Sequence, residues 1–310
     1  MRAIPIVALS AALWLIAAPA QAQTNSASNR PPVLSAESVL LLDTQGRVIY
    51  AKNPTEDHAP ASLTKLMTLY LACEALDAGR AQWEEPVLIS HRAALTPRYR
   101  MGLRAGETVP LRTLLEGVAI ASANDAATAV AEHLGGTEEA FVASMNAKAD
   151  ELGLRHTHYA NAHGLPDPGQ RSTAEDLAKL IGRLLQDYPA SRPLLGGATF
   201  VYRGRVYSRR IPLFKDPGGV QALKTGFTRE AGYNLAISAW KSGEQFLLIV
   251  LGARTRSLSF RDARAVLRYG FVETGLETAP ERPARRPGRS TLPPRRPGQR
   301  GSRAAVGGAS

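Results

Sequence analysis

From Ser62 to Ala78 the apolar residues Leu63, Leu66, Met67, Leu69, Tyr70, Ala72, Cys73 and Leu76 recur at helical spacing, with Gly79 after them as a C-cap candidate. A helix apolar on most of its faces belongs at the centre of a fold rather than on its surface. Further helices are predicted over 111–121, 125–134, 138–152 and 173–187, with Thr137 and Ser172 as N-caps, the latter followed by Glu175 three residues on. The β-rich runs Ser38–Asp43 and Arg47–Ala51, separated by Thr44-Gln45-Gly46, read as a hairpin. Later strands are expected around 199–207, 219–224, 233–240 and 245–251, and a last helix near 259–268. Strands at both ends with helices between predict an α+β fold: an antiparallel sheet flanked by helices, its N- and C-terminal strands neighbours.

The two ends of the chain break this pattern. Arg2, an apolar run from Ile6 to Ala18 and then Ala20-Gln21-Ala22 have the order of a secretory signal, so 1–22 is expected to be a signal peptide and the mature protein to be exported. That run is too short to span a bilayer, which takes about 20 residues, and the mature chain carries no later transmembrane pattern. Residues 23–35 are polar and Pro-bearing, a flexible lead-in to a folded domain over 36–277. The segment 278–310 is Arg/Pro/Gly-rich without aliphatic periodicity and is expected to be disordered.

Composition sharpens this division. Of 310 residues 44% are apolar, enough for a large core, and the formal net charge is +11. That excess would suggest an anionic polymer as partner if it were spread over the domain. Residues 278–310, however, hold eight Arg and one Glu, a net +7, which leaves the body between leader and tail at about +3. The tail lacks interleaved aromatics and the address is outward, so nucleic acid is not the expected partner. The lone Cys73 excludes an intrachain disulfide, and inside an apolar helix it reads as a small buried hydrophobe.

No metal or cofactor is expected, since the six His show no helical i, i+4 pair and no Gly-rich phosphate loop precedes a helix. What remains is serine and lysine. In Ser62-Leu63-Thr64-Lys65 the two ends share a helix face, so the Lys65 amine can reach the Ser62 hydroxyl. A serine hydroxyl needs a base, and a lysine serves if burial or a second cation lowers its pKa. Taken alone, Ser62 as a helix N-cap with Lys65 solvated on the first turn is the more ordinary reading, so this motif does not decide the matter. Ser122-Ala123-Asn124 falls in a link between predicted helices and offers a second hydroxyl as proton relay. Lys224-Thr225-Gly226 follows a strand-like run and offers a cation and a hydroxyl to a carboxylate, with Gly226 permitting close backbone approach. Look-alikes at Ser238–Lys241, Ser144–Asn146 and Lys241–Gly243 fail on context, lying in a strand, inside a helix and in a hairpin turn.

The three motifs in this order resemble the signature of penicillin-binding proteins and serine β-lactamases. Their surroundings resemble the D-alanyl-D-alanine carboxypeptidases, peptidase family S11: residues 59–68, Ser122–Ala127, Asn161–Gln170, Ser172–Ala174, Leu223–Thr228 and Ala231–Leu235. The resemblance runs from about Ser38 to Phe271 and implies a β-lactamase/transpeptidase-like fold. It implies that Ser62 attacks the terminal D-Ala-D-Ala bond of peptidoglycan stem pentapeptides, Lys65 takes its proton and Ser122 relays one to the leaving amine. It further implies an oxyanion hole from the backbone N–H groups of Ser62 and Phe227, positioning by Asn124, a carboxylate site at Lys224 and Thr225, and covalent inhibition by β-lactams at Ser62.

Three departures accompany it. Ala123 stands where the family commonly has Gly. Ser259 stands before Phe260 where the family often has an arginine, with Arg254, Arg256 and Arg261 as substitutes among which the sequence does not choose. Beyond the catalytic domain comes the Arg/Pro tail, with no C-terminal amphipathic membrane anchor evident. A serine β-lactamase is the nearest rival, but the stretch His156–Asn161 holds no acid to activate a deacylating water. A D,D-endopeptidase acting on crosslinks uses the same acyl-enzyme, and a wall-binding protein using its basic tail is a more distant alternative.

Overall fold

The computed structural model describes residues 29–97, 99–209 and 219–278; the predicted leader, the first part of the lead-in and the Arg/Pro tail from 279 onward lie outside the described residues. Strands β1 (Ser38–Leu42) and β2 (Val48–Lys52) pair antiparallel as the predicted hairpin, Gly46 taking a positive φ of 76° in its turn. The chain then makes a 3-10 turn over Ala61–Thr64 and enters α1 (Lys65–Asp77), which is buried nearly all round. Gly79, at φ 66°, ends it in the left-handed conformation that favours glycine.

A small two-stranded sheet, β3 (Pro86–Leu88) with β4 (Thr108–Pro110), brackets the short helix α2 (His91–Leu95); each is too brief to leave a periodic signal. The segment expected as one helix over 111–121 is α3 (Leu111–Glu116) running into a π-helical turn, Gly117–Ala121. Next come α4 (Asn124–Gly135), α5 (Glu138–Glu151), α6 (Ala174–Asp187) and α7 (Ser191–Gly196). Thr137 caps α5 as expected, but α6 is capped by Thr173, whose hydroxyl accepts from Asp176 N–H at 3.0 Å. Ser172 instead pairs its backbone with His58, so the capping box predicted there does not form.

The strand expected over 199–207 is a hairpin of β5 (Thr199–Tyr202) and β6 (Arg205–Ser208), with Arg203 and Gly204 at φ 50° and 73° in its turn. Two central residues with positive φ give the turn whose twist matches flanking strands. Then β7 (Val220–Thr228), β8 (Gly232–Lys241) and β9 (Glu244–Ala253) form a meander, and α8 (Arg256–Glu273) closes the domain. The main sheet is antiparallel in the order β2-β1-β9-β8-β7, so the first strand lies beside the last, as predicted.

Alternation along the strands divides the core in two. Val39, Leu41, Leu248 and Val250 pack with Phe260, Ala263, Val266, Leu267 and Phe271 of α8 on one face. Leu40, Ile249 and Leu251 join the larger core built from α1 and α3–α6 on the other. Cys73 is buried in that larger core, where burial pushes its thiol up to about 12. Residues 29–35 lie along α8, where Ser35 donates its N–H and its hydroxyl, and Ala36 its N–H, to buried Asp262.

Candidate active site

Ser62 sits in the 3-10 turn rather than in the α-helix itself, and this tightens the predicted contact. Residues i and i+3 eclipse in a 3-10 turn, and Lys65 Nζ lies 3.1 Å from Ser62 Oγ. Two glycines let backbone close on this turn. A Cβ at Gly164 would stand 2.0 Å from Ala61 O, and one at Gly226 would stand 3.1 Å from Ser62 N. Ala61 itself has a φ of 48°, unusual for a residue with a Cβ, just before the serine.

Lys65 is fully buried and donates to three acceptors: Ser62 Oγ, Asn124 Oδ1 at 2.6 Å, and the His163 carbonyl. Burial lowers its pKa to about 7, against a smaller upward pull from the Asp125 carboxylate. Asn124 opens α4 and is fixed by its N–H to Tyr99 O at 2.6 Å and its amide to Pro97 O at 3.0 Å. Asp125, next along, gathers the N–H groups of Met101, Gly102 and Leu103 and so holds the loop that supplies those carbonyls. Asp125 carried no sign of this role in the sequence, because the residues it holds are a separate stretch of chain.

Ser122 follows the π-helical turn in the left-handed conformation, at φ 57°. Its hydroxyl accepts from Lys224 Nζ at 2.7 Å across 102 residues of sequence. Lys224 lies within β7, not after it, and the pairing with β8 shifts between Ala222 and Lys224. Such bulges re-aim side chains; here Leu223 enters the core and Lys224 faces the site, fully buried. Its amine also donates to Thr225 O at 3.0 Å. Burial, then the charges of Lys65 and Arg209, hold its pKa well below the ordinary lysine value.

A cavity of about 470 Å³ opens at this point, lined by Ser62, Ser122, Thr225, Gly226 and Phe227, with Tyr99 and Tyr233 beside them. All eight residues expected at the site are thus brought together: six line the cavity or touch it through Ser122, and Lys65 and Asn124 stand behind Ser62. Of the three arginines left open, Arg256 reaches the cavity, beside Ser259 and Phe260, while Arg261 lies near Asp262 at 3.8 Å. A fourth arginine was not anticipated. Arg209 is buried at the end of β6, donates to the carbonyls of Leu195 and Ala119, and lines the same cavity. Among the described residues no Asp or Glu lines the cavity, so its electrostatics favour an anionic ligand. Among the described residues no His/Cys/Asp/Glu group has the makings of a metal site.

An antiparallel sheet with helices on both faces, and a serine–lysine pair set against its edge strand, define the transpeptidase-like fold of penicillin-binding proteins. The family model for D-alanyl-D-alanine carboxypeptidase, peptidase S11, matches residues 24–255, and the chain belongs to that family. It is 38% identical over 251 residues to the D-alanyl-D-alanine carboxypeptidase DacF of Bacillus subtilis, covering 79% of this chain and 64% of that protein. The chain thus spans a little under two thirds of that relative's length. It resembles penicillin-binding protein 5 from Haemophilus influenzae at 32% identity with a TM-score of 0.76, over 78% of this chain and 72% of that one. It also resembles the cefotaxime-bound form of penicillin-binding protein D2 from Listeria monocytogenes, at 30% identity and a TM-score of 0.67, over 78% of this chain and all of that one.

Proposed function

We propose that this chain is an exported serine D-alanyl-D-alanine carboxypeptidase that removes the terminal D-alanine from peptidoglycan stem pentapeptides. The observation that carries the proposal is the buried Lys65 amine on the Ser62 hydroxyl, at 3.1 Å and with a pKa of about 7. A general base is most effective when its pKa lies near the working pH.

The neutral Lys65 amine takes the Ser62 proton as Ser62 Oγ adds to the carbonyl carbon between the two D-alanines. The carbonyl oxygen becomes an oxyanion held by the backbone N–H groups of Ser62 and Phe227. As the C–N bond breaks, Ser122 passes a proton to the leaving amine and regains the one that Lys65 took from Ser62, while Lys224 holds the Ser122 hydroxyl in place. D-Alanine leaves, water gives a proton to the neutral Lys65 amine as it attacks the ester, and Lys65 returns that proton to Ser62 Oγ as the shortened peptide is released. Asn124 orients Lys65 and substrate, and Gly226 gives the substrate backbone room beside Ser62. Lys224, Thr225 and Arg256 receive the terminal carboxylate, Arg256 filling the part that Ser259 has no charge to play. β-Lactams acylate Ser62 in the same way, and among the described residues no carboxylate lines the cavity to serve as the deacylating base of a β-lactamase. In the cell, residues 1–22 serve as the export signal; among the described residues no helix is long and apolar enough to cross a membrane.

Fluorescent penicillin should label the wild type covalently and Ser62→Ala not at all. Release of D-alanine from a D-Ala-D-Ala peptide, measured beside nitrocefin turnover, separates the activities. Rapid nitrocefin turnover with no D-alanine release would make the chain a β-lactamase instead.

A further inference from the structure

Lys65 is held on one side by the carbonyl of His163, and that carbonyl is fixed from behind by a side chain to which the chemistry above gives no part. Glu138 opens α5, where an acidic residue would ordinarily sit in solvent and favour the positive end of the helix. Its neighbour Glu139 does so, with a side chain 68% exposed, whereas that of Glu138 is only 6% exposed. Burying a carboxylate is costly unless it is bonded, and Glu138 is bonded towards the site. Oε1 accepts from Ala162 N–H at 3.1 Å and lies 3.5 Å from His163 Nε2, while Oε2 accepts from Arg92 at 3.0 Å. The two carbonyls that follow point the other way, onto α1. Ala162 O accepts from Thr68 Oγ1 at 2.6 Å, and His163 O accepts from Lys65 Nζ.

We propose that Glu138 is a positioning residue for Lys65: its carboxylate grips the Ala162–His163 backbone so that the His163 carbonyl stays on the Lys65 amine. The inference rests on the reading of Ser62 and Lys65 as nucleophile and base. His163 suits the part. Its Nδ1 accepts from Leu165 N–H at 3.2 Å, which places its proton on Nε2, facing Glu138. Burial, with Lys65 and Arg92 nearby, holds the imidazole neutral by lowering its pKa to about 3. The charged or titratable groups around the arrangement are Asp125 from α4 and Lys224 from β7 on the Lys65 side, and Arg92 from α2 on the Glu138 side.

The test is the rate of acylation of the full chain by fluorescent penicillin across pH, with thermal melts to count the folded fraction. Glu138→Ala should lower the plateau rate about tenfold, as misplacement of a catalytic group does. Its acidic limb should move to lower pH, because the ammonium form of Lys65 loses a fixed acceptor. Glu138→Gln, whose amide oxygen still accepts from Ala162 N–H, should recover most of the rate. Where Glu138→Ala does not fold, Glu138→Asp carries the test, since it keeps the charge but not the reach and should also be slow. Folded Glu138→Ala or Glu138→Asp with the wild-type plateau and limb overturns the proposal, as does Glu138→Gln as slow as Glu138→Ala. Labelling of Ser62→Ala at the wild-type rate would overturn the underlying Ser62 reading instead.

Discussion

The two faces of the central sheet are built to opposite rules. Against α8 the interface is nearly all aliphatic and aromatic, with Phe246 and Phe271 edge to face at 5.2 Å. Its buried acid, Asp262, is satisfied by three donors from Ser35 and Ala36. On the other side, at the join of α1, α4 and β7, the interior holds Lys65, Asn124, Asp125 and Lys224, all almost fully buried. Two lysines deprived of water, with one carboxylate in the same interior, weaken a fold. The difference shows where stability is generated and where it is spent: the α8 face supplies apolar burial, and the polar join uses it to keep an amine near neutrality.

The sharpest break in that comparison is Ser62→Ala. It removes the hydroxyl proposed as nucleophile while leaving the buried cations and their partners in place, so covalent labelling should vanish with little change in melting temperature. Lys65→Met comes next. If Lys65 is the general base, its loss costs about 10²–10⁴ in rate, and acylation by the wild type should itself rise through about pH 7 as Lys65 loses its proton. The same substitution tests the stability side. The folded pKa of Lys65 is about 7 against an ordinary 10.5, so between these values the unfolded chain binds the extra proton. Stability therefore gains from this group as pH rises through that window, and below it the group is charged in both states and contributes no slope. Melting temperatures of wild type and Lys65→Met should converge from pH 7 to 10.5; a gap that does not change with pH would mean that burial leaves Lys65 titrating as in water.

How much of this was legible in the sequence follows the same division. The Ser62–Lys65 contact is local, three residues apart on a helical turn, and the run from Leu63 to Leu76 already placed that turn at the centre of the fold. The hairpin β1–β2 and the neighbouring of β1 and β9 followed from two short β-rich runs around Thr44-Gln45-Gly46 and from the order of elements. Contacts that needed the third dimension did not. Arg209 lies 90 residues from the Ala119 carbonyl it grips, and Glu138 lies 24 from Ala162, with no periodicity to tie them. The capping error at α6 has a local cause: Ser172 and Thr173 are both good caps, and backbone pairing with His58 takes Ser172 for another use. The 3-10 and π-helical turns beside Ser62 and Ser122 also left no mark, because hydrophobic spacing does not distinguish them from ordinary helix.

On the apolar face, Phe246→Ala should separate the two rules from the other direction. Phe246 is 1% exposed, and truncating a buried phenylalanine costs about 3–5 kcal/mol. Chemical denaturation should show that loss, while the acylation rate of the folded fraction stays within about twofold of wild type, as expected for sites without shared partners. A rate that fell with stability would mean that the two faces are not independent.

The smallest effect is expected where the two faces meet. The N-terminus of α8 belongs to the apolar layer through Phe260 and to the cavity through Arg256 and Ser259. Thr255 caps this end, its hydroxyl accepting from Leu258 N–H at 3.2 Å. Thr255→Ala should cost about 1 kcal/mol of stability, the ordinary price of a lost cap. If Arg256 receives the substrate carboxylate, fraying the turn it starts should also raise KM for a D-Ala-D-Ala peptide while leaving kcat near its wild-type value, since Ser62, Lys65 and Ser122 are untouched. The split matters more than its size. A fall in kcat alone would place α8 in the chemistry, and a loss of stability with KM unmoved would leave Arg209 and Lys224 as the cations that hold the carboxylate.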